Sequence, residues 1–183
     1  MKLNILKSVF LMTFLASFLS ACATQKLAAI PTVAQVDLPK FMGDWYVIAA
    51  IPTLIEKQSY NAIERYELNQ DGTIATTFTF NKGALDGELK TYQPRGFVVE
   101  DSGNALWGMQ FIWPIKAEYR IAYLNADYTQ TIIARNARDY VWIMARTPTI
   151  SEDDYQALTA LIASFGYDLS KLRKVPHSDI SKP

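Results

Sequence analysis

Few side chains in this 183-residue chain are equipped for covalent chemistry: there is one thiol, Cys22, and one imidazole, His177. No serine sits in a Gly-x-Ser-x-Gly elbow, and there is no His-Glu-x-x-His pair and no phosphate-cradling glycine loop. His177 lies in a polar carboxy-terminal stretch without evident partners and reads as solvent-exposed. Glu67, Asn69, Asp71 and Gly72 have the spacing that begins a calcium loop, but Phe78 stands where the bidentate glutamate belongs, so the segment reads as a turn. What remains is non-covalent chemistry. Phenol, indole and thioether groups recur along the chain and suit a pocket that is mostly apolar with a few hydrogen-bonding groups. Eighteen Lys and Arg balance eighteen Asp and Glu, which leaves no basic groove for nucleic acid. No cofactor or metal is implied.

Cys22 has a different role. Lys2 and Lys7 form a positive start, and Val9 to Leu19 is apolar but too short for a membrane-spanning helix, so residues 1–21 read as a signal peptide. Leu19, Ser20, Ala21 and Cys22 then resemble a bacterial lipobox. That resemblance implies cleavage before Cys22, its thioether linkage to diacylglycerol, and acylation with a chain such as palmitate. Ala23 is not aspartate, which by the same resemblance implies the outer membrane, periplasmic side. With its only cysteine acylated, the exported chain has no disulfide and must rely on its core. Cleavage leaves 162 residues, enough for one domain. Residues 22–36, small and polar with Pro31, read as a tether; residues 37–176 form the domain and 177–183 a tail.

Within the domain, strand-like segments recur about every ten residues between turn signals. They are Asp44 to Ile51, Tyr60 to Leu68, Thr73 to Phe80, Glu88 to Val99, Ala105 to Trp113, Ala117 to Leu124, Thr129 to Arg135 and Tyr140 to Arg146. Asn69 to Gly72 and Asp101 to Asn104 supply residues that tolerate positive φ. Eight successive antiparallel strands fit an up-and-down barrel, with a β-sandwich as the alternative. One helix follows: Ser151 can cap it, Glu152 and Asp153 suit its positive end, and Tyr155, Leu158, Leu161, Ile162 and Phe165 form one apolar stripe before Gly166. That stripe needs a partner, most simply the outward Val141 and Ile143. Tyr167 to Val175 can return as a short extra strand.

The residues Gly43, Asp44, Trp45 and Tyr46, followed by this strand series and by Arg146, Thr147 and Pro148, resemble the lipocalins, and among them the bacterial membrane-anchored Blc type related to apolipoprotein D. A second lipocalin motif is represented by Ala126, Asp127 and Tyr128. The resemblance spans about Val36 to Val175. It implies an eight-stranded barrel with one helix packed outside, in which Trp45 closes one end and Arg146 lays its guanidinium across the indole.

Strand alternation then assigns a barrel interior. If Trp45 faces inward, so do Val47 and Ala49. The same parity places Tyr66, Phe78 and Phe80 inside, then Trp107, Met109, Phe111 and Trp113, then Tyr119, Ile121 and Tyr123, then Trp142 and Met144. The hydroxyls of Tyr66, Tyr119 and Tyr123 are candidates for a ligand's polar end, and Glu64 for a choline or ethanolamine cation. The expected function is non-enzymatic: binding, storing or transporting a small hydrophobic ligand such as a fatty acid or lysophospholipid at the cell envelope, with the membrane reached through the amino-terminal anchor. The competing readings are a barrel filled by its own side chains that serves as an interaction protein, and an enzyme acting on hydrophobic substrates.

Overall fold

A computed structural model describes residues 27–178; the signal segment and Cys22 lie outside them. A short helix α1 (Leu38–Phe41), capped by the Asp37 side chain, leads into β1 (Gly43–Ile51). There follow β2 (Ser59–Leu68), β3 (Ile74–Lys82), β4 (Glu88–Tyr92), β5 (Arg95–Val98), β6 (Leu106–Ile112), β7 (Ile115–Leu124), β8 (Gln130–Ala134) and β9 (Val141–Ala145). Successive strands pair antiparallel except β4 with β5, and β9 pairs back onto β1, closing the sheet. The segment expected as one strand over Glu88 to Val99 is split: β4 and β5 both pair with β3 and are separated at Gln93 and Pro94, where proline has no N–H to give the ladder. Counting them as one, the barrel has eight strands, and the sandwich alternative falls.

Helix α2 (Glu152–Ser164) lies outside the wall. Ser151 Oγ accepts from Asp154 N, and the Asp154 carboxylate accepts from Gln130 Nε2 at 3.0 Å, which fastens the helix start to β8. Leu158 and Ile162 are buried against Ile132, Val141 and Ile143, as the apolar stripe required. The chain then forms β10 (Arg173–Lys174) along β1. Among the described residues, no helix is long and apolar enough to cross a membrane.

Two irregularities alter which side chains face inward. The β1–β9 register shifts between Val47 and Ala49, so Val47 and Ala50 face the interior while Ile48 and Ala49 pack beneath the helix. The β7–β8 register shifts between Ile121 and Tyr123, which leaves Ile121 inside and turns Tyr123 to the helix side. An extra residue on one strand reverses parity beyond it; the inward assignments of Ala49 and Tyr123 are therefore corrected.

The described part of the supposed tether is built into the fold. Ile30 and Val36 are buried, Val33 N donates to Ile121 O, and Val36 N donates to Gly103 O. His177 is also not free: its ring packs edge-on against Tyr46, and Nε2 lies 2.9 Å from Val47 O.

Candidate functional site: a cavity with one closed end

The closed end is assembled around Trp45. Its indole Nε1 donates to Phe41 O at 2.8 Å, and the Arg146 guanidinium carbon lies 3.8 Å from the centre of its ring. Arg146 also donates to the carbonyls of Lys40, Phe41, Asp44 and Tyr128, so one planar cation ties α1, β1 and the β7–β8 turn together. Gly43 holds φ at +92°, and a Cβ there would meet Arg146 Nη1 at 3.5 Å. Tyr128, with φ +56°, supplies its carbonyl to Arg146 and its hydroxyl to Asp37 N, whereas Asp127 is exposed at the turn. Above this plug, Phe41, Tyr66 and Trp107 pack with ring centroids 5.5–5.7 Å apart, and Trp107 stacks on Tyr119 at 5.0 Å. Aromatic rings thus fill the lower barrel.

The upper barrel is not filled. A cavity of about 410 Å³ opens at the other end, within the size range of small-molecule sites. Phe78, Tyr92, Met109 and Trp142 wall it, Glu64 and Tyr119 contribute polar groups, and Leu54, Ile55, Phe111 and Ile112 form part of its lining from the β1–β2 loop and the β6–β7 hairpin.

Of the residues assigned inward from the sequence, Phe78, Met109, Phe111, Tyr119 and Trp142 line this space. Tyr66, Phe80, Trp107, Ile121 and Met144 are buried in the inner core but do not line it. Phe111 is half exposed at the rim, and Trp113 is 82% exposed at the hairpin apex. Alternation fails there because β6 ends at Ile112, before Trp113 and Pro114 turn the chain.

Several lining residues were not anticipated. Thr53 to Glu56 come from a loop, where no periodicity marks an inward face. Thr76, by contrast, shares the alternation of Phe78 and Phe80 and was available from the sequence. Tyr92, Pro94, Ile112, Arg135 and Tyr140 complete the unanticipated set, with Ala117 and Glu118.

Two carboxyls give the cavity its electrostatics. Glu56 is 4% exposed and accepts from Trp142 Nε1 at 3.1 Å and from Thr53 N at 3.3 Å. Burial raises its pKa against the opposing pull of those hydrogen bonds. Glu64 accepts from the Tyr66 hydroxyl, whose oxygen lies 2.7 Å from that of Tyr119. Burial, with repulsion from Glu56 added, pushes Glu64 up to about 8. Among the described residues neither carboxyl has a salt-bridge partner. At neutral pH Glu64 is therefore mostly protonated, and an apolar chain can lie beside it without burying a charge.

Comparison with known proteins agrees with this architecture. The family model described as Lipocalin-like domain matches residues 36–177. Temperature-induced lipocalin-1 of Arabidopsis thaliana is 31% identical over 159 residues, covering 80% of this chain and 82% of that protein. Outer membrane lipoprotein Blc of Escherichia coli K12 is 28% identical, covering 78% and 80%. Insecticyanin from the tobacco hornworm Manduca sexta shares the fold at a TM-score of 0.65 and 15% identity, covering 83% of this chain and 86% of that one. With the barrel closed at β1–β9, the Trp45–Arg146 stack in place and the family model spanning most of its length, the chain belongs to the lipocalin-like domain family.

Proposed function

We propose that this lipocalin is a bacterial envelope lipoprotein that binds, stores or carries a lipid with a single apolar chain, a fatty acid or a lysophospholipid. The observation that carries the reading is the open cavity, whose walls are ring and thioether surfaces and whose carboxyl Glu64 has its pKa pushed up by burial. An acyl chain entering it leaves water for Phe78, Met109 and Trp142, at about 25 cal/mol per Å² of apolar surface removed from water, less the cost of ordering the chain. Protonated Glu64 and the Tyr119 hydroxyl can hydrogen-bond to a carboxyl or ester oxygen. The function is reversible sequestration rather than turnover.

The envelope location rests on Cys22 and the lipobox-like residues before it, and is supported by relatives named outer membrane lipoproteins. We assign Cys22 as the acylation site and the outer membrane as the destination. Labelling cells with an alkyne fatty acid should mark the wild-type chain and not Cys22→Ser; equal label in both would remove the anchor. The binding claim is tested separately by native mass spectrometry of protein purified without harsh detergent. One bound lipid per chain is expected, and an empty barrel that takes up neither palmitate nor lysophosphatidylethanolamine would favour the reading as an interaction protein.

A further inference from the structure

Exposed apolar side chains are concentrated at the open end of the barrel. Leu54 (77% exposed) and Ile55 occupy the β1–β2 loop, and Ile112, Trp113 and Ile115 form the tip of the β6–β7 hairpin, with Ile112 paired to Ile115. Leu54, Ile55 and Ile112 border the same cavity, so both loops stand around one opening. Among the described residues, the large apolar side chains exposed at the closed end are Leu68 and Val99, both less exposed than Leu54 or Trp113. Packing accounts for none of the hairpin tip: Trp113 is not part of either core cluster and does not line the cavity.

Charge and chain path indicate what covers this tip. In the two loops that carry the apolar tip, residues 111–117 hold Lys116 and no acid, the following Glu118 being paired with Arg120, and in residues 52–58 the one acid, Glu56, is turned inward while Lys57 is exposed. The acids Asp86 and Glu88 of this end lie on the separate β3–β4 hairpin, Glu88 paired with Lys90. A tryptophan and branched aliphatics flanked by lysines suit the boundary between acyl chains and anionic headgroups. The amino-terminal segment reaches this same end: Ala28 O accepts from Arg138, and Ile30 N donates to Asn136, both residues of the β8–β9 turn beside cavity-lining Arg135 and Tyr140. Cys22 is five residues before Leu27, a reach of at most about 18 Å for extended chain. An acylated Cys22 would therefore hold the open end, not the plugged end, near the membrane.

We propose that the open end docks on a lipid bilayer, with Leu54, Ile112, Trp113 and Ile115 entering the interfacial region, so that the cavity exchanges its ligand directly with the membrane. The orientation argument rests in part on the Cys22 anchor; the apolar tip stands without it.

The test uses the processed full chain in vesicles of phosphatidylglycerol and phosphatidylcholine brominated at mid-chain. Trp142→Phe serves as background, because an acyl chain in the cavity would itself quench Trp142. Trp45 and Trp107 are buried, so bromolipid should quench Trp113 emission and shift it to the blue, and aqueous acrylamide should lose access to it. A second variant, Trp113→Ser with Ile115→Ser, alters no cavity-lining residue. It should slow transfer of a fluorescent fatty acid from vesicle to barrel several-fold while leaving the affinity for the same probe in solution unchanged. Trp113 that stays open to acrylamide and unquenched by bromolipid, on protein whose Cys22 is shown to be acylated, would overturn the proposal. Quenched Trp113 on protein without acyl label would overturn the anchor and leave the docking face standing.

Discussion

The Arg146 guanidinium lies 3.8 Å from the centre of the Trp45 indole and donates to carbonyls of four residues, so it closes the barrel by stacking and by hydrogen bonding together. Burial lowers its pKa, but the group stays charged. Arg146→Ala leaves those carbonyls without their shared donor and should cost roughly 2–4 kcal/mol. Urea denaturation measures the loss. Because the stack is at the end away from the opening, affinity per folded molecule should be retained.

Glu64 should make stability fall as pH rises. Its folded-state pKa of about 8 stands above the ordinary 4.5, so the folded chain holds a proton that the unfolded chain releases in that window. The stabilisation is fully present below the ordinary value and is lost as pH rises through the folded one, with a slope of at most about 1.4 kcal/mol per pH unit from this group. Glu56, raised by burial, acts in the same direction. Glu64→Gln keeps the shape without the titration, so denaturation midpoints followed from acid to mildly alkaline pH should decline less in this variant than in wild type.

The same titration should weaken binding of an uncharged single-chain lipid in alkaline solution, since ionised Glu64 would place a carboxylate beside the apolar chain. In a calorimetric titration with monoacylglycerol, wild-type affinity should drop as pH passes about 8, whereas Glu64→Gln should bind with little pH dependence.

Met109 is buried in the wall and lines the cavity between Phe78 and Tyr119. Met109→Ala should enlarge the pocket and shift preference towards longer acyl chains, at a stability cost of about 2–5 kcal/mol. Affinities across a series of fatty acids, measured on variants with a single cooperative unfolding transition, give the preferred length.

Much of the barrel is legible in the sequence because its signals are local. Turn residues such as Asn69 to Gly72 mark strand ends, Ser151 and the stripe through Leu158 and Ile162 mark the helix, and Trp45 and Arg146 mark the plug. The cavity is less legible because it depends on register. One-residue shifts at Val47/Ala49 and Ile121/Tyr123 reverse parity without any change in the hydrophobic pattern, and so moved Ala49 and Tyr123 out of the interior. Trp113 continues the alternation of β6 but lies past its last residue. Glu56 comes from a loop, and its indole partner, Trp142, is 86 residues away. His177 and residues 28–36 were misread for a related reason: their partners, Val47, Asn136, Ile121 and Gly103, are distant in sequence, and polar or irregular composition gives no hint of them.

The central claim is that the open cavity holds a lipid chain, and it is tested most directly by filling that space. Ala117 lines the cavity with a small side chain, and Ala117→Phe would place a ring in it. Delipidated wild-type protein should bind palmitate or lysophosphatidylethanolamine saturably at one lipid per barrel, and folded Ala117→Phe should lose most of that affinity. Met109→Ala, which empties rather than fills the pocket, should still bind. Wild-type protein that shows no saturable binding, or a filled variant that binds as tightly as wild type, would contradict the account.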